Sequence, residues 1–124
     1  MPSFILGGGS NLVPQDEDLE CFVISTKNLN KVNYQTGKEK EDFVLFAEAG
    51  VSIKSITDFC VENSFSGLEN FGGLPGSVGG ACYMNARCYE TSFSDVLISV
   101  KYLDFENNEK SGFSIPVVKE YFFD

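Results

Sequence analysis

The sequence of 124 residues contains no histidine and no tryptophan. Without an imidazole, neither a Ser-His nor a Cys-His nucleophile pair can form within it, and the commonest partner of a soft metal ion is missing. Cys21, Cys60, Cys82 and Cys88 include no C-x-x-C pair, so no zinc or other metal site is expected. Cys60, in an apolar helical pattern, and Cys21, in a strand-like one, are expected as small core residues. Cys88 is expected in a loop, with nothing beside it that marks a nucleophile. Positive charge is scarce as well: nine Lys and Arg against eighteen Asp and Glu leave a formal net charge of −9. That balance argues against a nucleic-acid partner, since a phosphate backbone is held by clustered Lys and Arg. The charged runs at Asp16–Glu20 and Lys38–Asp42 are expected as solvated loops or turn faces. No apolar run approaches the ~20 residues of a membrane-spanning helix, and no basic region followed by an apolar block marks a secretion signal. These absences point to a cytoplasmic protein with no membrane partner.

What is present suits a globular domain. The length fits one domain by the usual prior, the hydrophobic fraction is 43%, and twelve phenylalanines foretell a Phe-rich core. Residues 3–6 read as a short buried strand. "ECFVIST" and "LNKVNYQ" have strand composition, the latter alternating at Leu29, Val32 and Tyr34, and with the polar turn "TGKEKED" these segments are expected in hairpins. "FVLFAEAG" is the strongest strand candidate, closed by Gly50. The period then changes: Ile53, Ile56, Phe59 and Cys60 share one helical face, with Ser52 or Ser55 as its cap and Gly67 just past its end. "DVLISVKYLDF" alternates like a long strand, "ENNEK" turns it, and "SGFSI" can pair back. Pro116 suits the first turn of a tail helix over "PVVKEYFFD". Strands grouped around isolated helices indicate an α+β fold.

Two glycine clusters stand out. "FILGGGSNLV" places Gly7, Gly8 and Gly9 after a strand, where successive N–H groups can converge on an anion. A nucleotide-triphosphate loop would need a following Lys, and the dinucleotide fingerprint would need a following helix. Neither fits, and the cluster by itself suits a structural turn as well as a phosphate site. "GGLPGSVGG" puts Gly79 and Gly80 where a short helix should lie, at a cost of roughly 1 kcal/mol each relative to Ala. That cost implies close packing against another backbone or against a flat ligand. One extended cofactor lying across both clusters would account for the two together.

In "LGGGSNLV", "AEAGVSI", "GLENFGGLPGSVGGACYMNA" and "SDVL", in that order, the chain resembles the FAD-binding region of the UDP-N-acetylenolpyruvoylglucosamine reductase family. The stretch from Gly67 to Ala86 follows that family's G-L-E…G-I-P-G-x-V-G-G-A…M-N-A-G-A-Y pattern. The resemblance implies an α+β FAD-binding domain of the vanillyl-alcohol-oxidase type. Residues 1–50 would form a strand-rich first subdomain and 51–124 a second, with the substrate domain lying elsewhere. It implies an oxidoreductase in which NADPH reduces FAD and the flavin reduces a UDP-sugar enolpyruvyl ether to UDP-N-acetylmuramate. That is a step of peptidoglycan synthesis, and so of cell-wall biogenesis, cell shape and division.

Carried over by position, Gly7, Gly8, Gly9, Ser10 and Asn11 would bind the FAD pyrophosphate, largely through backbone N–H groups. Gly73, Pro75, Gly76, Ser77, Gly79, Gly80 and Ala81 would line the flavin and ribityl chain, with Asn85 bonding near the cofactor. Gly50 matches a family glycine whose role is structural. Arg87 and Glu90 stand where the family has glycine, and Arg87 would be strained if its φ were positive. The family's catalytic Arg, Ser and Glu match no position here, so no catalytic residue is assigned. The chain is expected to be an internal piece of such a reductase, poorly soluble or self-associating in isolation. The alternative is a non-catalytic flavin- or nucleotide-binding or interaction module. A flavoprotein oxidase of the same broad fold is a third reading, against which the lack of a flavin-linking His counts.

Overall fold

The computed structural model describes residues 2–39, 42–108 and 113–123, with the side chains of 105–117 outside that description. The chain opens with β1 (Ser3–Leu6) and β2 (Phe22–Ser25), which run parallel with Ser3 opposite Phe22 and Leu6 opposite Ser25. The hairpin expected for "ECFVIST" is therefore corrected: that segment returns beside β1. The register is pinned at its far end, where the N–H of Thr26 donates to the Leu6 carbonyl at 3.0 Å and the Thr26 hydroxyl donates to the same oxygen at 3.3 Å. Cys21 precedes this strand and is half-buried rather than a core residue. The described side chains of the charged run at Asp16–Glu20 are all exposed, as its composition requires.

β3 (Val32–Thr36) and β4 (Phe43–Ala47) form the expected antiparallel hairpin, Val32 opposite Ala47. Residues 40 and 41 of its turn, and that part of the second charged run, lie outside the described residues. α1 (Ile53–Glu62) follows, and Ser52 caps it by accepting the Ser55 N–H at 3.0 Å. Ile53, Ile56 and Cys60 are its buried face. Phe59 is half-buried and joins Tyr34, Phe43 and Phe65 in an aromatic cluster, with Phe43 and Phe65 stacked at 3.9 Å between ring centroids. The left-handed residue just past the helix is Ser64 (φ 59°), not Gly67. Gly67 (φ 118°) serves a separate turn, where its N–H donates to the Glu69 carboxylate at 2.8 Å.

After a 3-10 turn at Glu69–Phe71 comes α2 (Val78–Met84), capped by Ser77 and ended by Asn85 in the left-handed conformation. The core lies between α1, α2 and the two 3-10 turns. Val51, Ile53, Ile56, Phe71, Val78, Ala81 and Phe93 are its buried apolar members, and Phe71 meets Phe93 edge-on at 5.2 Å. Ile53 and Phe71, at 0% and 1% exposure, each contribute about 1.5–3 kcal/mol by burial.

β5 (Arg87–Cys88) and β6 (Thr91–Ser92) make a short hairpin, so Cys88 is a half-buried strand residue rather than an exposed loop thiol. Arg87 carries no positive φ; that conformation falls to Asn85 (46°) and Tyr89 (55°). A second 3-10 turn at Phe93–Asp95 is closed by a reciprocal Ser92–Asp95 capping box. The strand read from Asp95 thus begins only at Ser99. β7 (Ser99–Asn108) pairs antiparallel with β8 (Phe113–Phe122). The tail helix expected after Pro116 is corrected, because Pro116 sits within β8 opposite Phe105. Val117, Val118, Tyr121 and Phe122 favour a strand, and a strand with a single neighbour tolerates proline. The elements compose an α+β fold of four two-stranded ladders among the described residues. Its β1–β2 ladder leaves Ile5 and Phe22 61% and 63% exposed.

Candidate functional site

A recess of about 350 Å3 opens where the first glycine loop meets the loop before α2. Leu6, Gly7 and Gly8 form one wall, Gly76 and Ser77 the other, and Ser25, Thr26, Lys27, Gly50 and Ser52 complete it. The two walls nearly touch. A Cβ on Gly8 would stand 2.8 Å from the Gly76 Cα, and one on Gly7 would stand 2.7 Å from the Ser77 Oγ. Gly76 itself has φ 107°, a conformation open to glycine and strained for other residues. A backbone bridge between Ser52 and Ser77, with the Ile53 N–H donating to the Gly76 carbonyl at 2.9 Å, fastens the second wall to the start of α1.

The destinations of the N–H groups distinguish the two loops. Among the described hydrogen bonds none is donated by the N–H of Gly7, Gly8, Gly9, Ser10 or Asn11. These N–H groups make no internal hydrogen bond among the described residues, in a turn whose Gly9 has φ 72°. Such a run of N–H groups suits an anion. In the second cluster the donors of the helix start are spent internally. Val78 donates to the Val51 carbonyl, Gly79 to that of Ala49, both at 2.8 Å, and Gly80 to the Ser77 Oγ at 3.2 Å.

The structure therefore brings together Gly7, Gly8, Gly76 and Ser77, with Gly9, Ser10 and Asn11 on the adjoining loop. It puts the other sequence candidates elsewhere. Gly73 and Pro75 line a second, larger recess of about 640 Å3 beside α1, together with Lys54, Thr57, Phe65 and Glu69. Gly79 packs its backbone on Ala49, where a Cβ would come within 2.7 Å of the Ala49 Cβ. Ala81 is buried in the core. Asn85 ends α2, and its side-chain oxygen accepts the Ser94 N–H at 2.9 Å. Gly50 has the tightest surroundings of all, since a Cβ there would lie 1.8 Å from the Thr26 carbonyl oxygen.

These two loops fall inside a stretch shared with known proteins. A family model described as "FAD binding domain" matches residues 1–109. The chain belongs to this family. Over 110 residues it is 49% identical to the UDP-N-acetylenolpyruvoylglucosamine reductase of Treponema denticola, covering 89% of the chain and 33% of that protein. The reductases of the same name from Petrotoga mobilis and Treponema pallidum are 39% and 35% identical over 88% and 97% of the chain, and over 35% and 34% of their own lengths. The chain spans about a third of the length of the curated relatives it matches.

Within this FAD binding domain, sequence reading missed Ser25, Thr26, Lys27 and Ser52, all of which line the recess. Only Ser52 carried a local signal, as a helix cap. The others reach the recess because β2 lies parallel to β1, a pairing with no signature in either strand. Lys27 is the one charged residue in the lining, and it makes no ion pair with the described residues. Glu69, in the other recess, is held below the ordinary carboxylate range by its own N–H and that of Gly67. Burial pushes the Cys60 thiol up, with a further push from the charge of Glu69, and burial alone does so for Cys82. Both thiols are thereby kept protonated and unreactive at neutral pH. Among the described residues no helix is long and apolar enough to cross a membrane.

Proposed function

We propose that this chain binds FAD, with the pyrophosphate held by the N–H groups of Gly7, Gly8, Gly9, Ser10 and Asn11. The observation that carries this reading is the close approach of Gly7 and Gly8 to Ser77 and Gly76 at a recess beside N–H groups that make no hydrogen bond among the described residues. Gly7 and Gly8 let the two loops meet, and the recess beside them is lined by glycines, hydroxyl groups and Lys27 with no carboxylate, so the residues present fit a diphosphate. Gly76 and Ser77, across the recess from Gly7 and Gly8, would lead toward the ribityl and flavin portions, and Gly73 and Pro75 would line the flavin only if it reached the separate recess beside α1. Gly79, Gly80 and Ala81 serve the site from behind, by letting α2 settle on Ala49 and the core. Asn85 ends that helix and ties it to the Phe93–Asp95 turn.

When bound, FAD supplies hydride transfer, and the protein's share is to bind and orient it. The finer fold assignment that goes with this reading is the vanillyl-alcohol-oxidase type, with subdomains meeting near residue 50. The names of the relatives support a wider proposal. The whole protein is a cytoplasmic NADPH-dependent reductase that converts UDP-N-acetylglucosamine enolpyruvate to UDP-N-acetylmuramate in peptidoglycan precursor synthesis. The test is an absorbance spectrum of the purified chain after incubation with FAD and desalting. A retained flavin band is the expected result. A chain that stays folded by circular dichroism yet emerges colourless would overturn FAD binding.

A further inference from the structure

Lys27 has no assigned role in the reading above, yet its main chain is held by hydrogen bonds while its side chain is exposed. Thr26, just before it, gives both its N–H and its hydroxyl to the carbonyl of Leu6, the residue immediately before Gly7. The Lys27 N–H is turned back onto the Ser25 Oγ at 3.3 Å. The end of β2 is thereby clamped against the mouth of the glycine loop, and Lys27 emerges at the rim of the recess. No carboxylate lines that recess, in a chain whose net charge is −9. The five free N–H groups offer partial positive charge only, whereas a diphosphate brings full negative charges to an acidic protein.

We infer that Lys27 is an anion-binding residue of the recess, its ammonium pairing with a phosphoryl oxygen of a bound diphosphate group. This rests on the reading of the recess as a diphosphate site. A nucleotide-triphosphate loop takes its lysine from the helix that follows the glycines. Here the lysine comes from the end of the parallel neighbouring strand. An ammonium on a flexible stem acts as a point charge, so its contribution is screened by salt where that of the N–H groups is less so.

The experiment compares the wild-type chain with Lys27→Met and Lys27→Arg. Inorganic pyrophosphate is titrated against the backbone amide NMR signals of residues 7–11, and FAD and riboflavin are titrated by fluorescence. Lys27→Met is expected to weaken pyrophosphate and FAD about tenfold, the size of a lost charge-assisted bond. That loss should shrink at high salt, leave riboflavin unchanged, and be largely restored in Lys27→Arg. If the wild-type chain binds FAD and pyrophosphate and Lys27→Met binds both equally well, the role of Lys27 is overturned and the flavin reading stands. If pyrophosphate shifts the amides in a Lys27-dependent way while FAD is not retained, Lys27 is upheld and the flavin reading fails. If pyrophosphate moves none of the amides, the inference falls.

Discussion

The two glycine-rich loops have similar composition and opposite uses. Among the described hydrogen bonds the N–H groups of residues 7–11 donate none, and glycine at 7 and 8 lets the neighbouring loop come close beside an open recess. At 78–80 the chain packs on itself: Gly79 lies on Ala49, and the donors from Val78 to Gly80 are all consumed within the fold. One loop is an interface and the other a seam. A count of glycines cannot separate the two, but an account of where each N–H goes can.

The comparison can be broken by adding single methyl groups. Gly50→Ala should have the largest effect, because its Cβ would overlap the Thr26 carbonyl at 1.8 Å and no flexible side chain is there to yield. A loss of more than about 3 kcal/mol is expected, read as a fall in the denaturant midpoint. Gly79→Ala should cost about 1–3 kcal/mol by overpacking against Ala49, with FAD affinity per folded molecule near wild type. Gly8→Ala should show the reverse balance: a similar or smaller stability loss but at least about a tenfold loss of FAD, since the two walls of the recess must part. If both variants lost stability and affinity in the same proportion, the distinction between interface and seam would fail.

Ser77→Ala tests the seam more gently. It removes the cap of α2 and should cost about 1 kcal/mol by thermal denaturation. The smallest effect is one of pH. Glu69 has its folded-state pKa depressed by the N–H groups it accepts. Its contribution is therefore fully present above the ordinary carboxylate value and is lost as pH falls through the lower folded value. Acid titration of stability should show a slightly shallower loss in Glu69→Gln than in wild type, the variant's small deficit at neutral pH closing as pH falls.

Much of this was legible in the sequence, and the exceptions share a cause. The β3–β4 hairpin, the buried face of α1 and the short helix after Pro75 follow from local periodicity and caps. The parallel pairing of β1 with β2 does not, because neither strand names its partner, and Lys27 was overlooked with it. Glycine placement predicted close approach at Gly79 but not whether a ligand or Ala49 would be the neighbour. Pro116 signalled a helix start by local preference. The ladder with β7 prevailed over it, because a strand with one neighbour among the described residues can place a residue that lacks an N–H where no donor is required.

The Thr26–Leu6 clamp and the Ser52–Ser77 bridge have a consequence for how the chain becomes active. The recess is assembled from positions near 7, 26, 51 and 76, so no local segment contains it and contacts far apart in sequence must close before it exists. Nascent or partly unfolded chains therefore present glycine loops with no defined pocket, and a ligand of the recess would distinguish finished molecules from unfinished ones. A ligand that bound there would draw the folding equilibrium toward the assembled state by mass action.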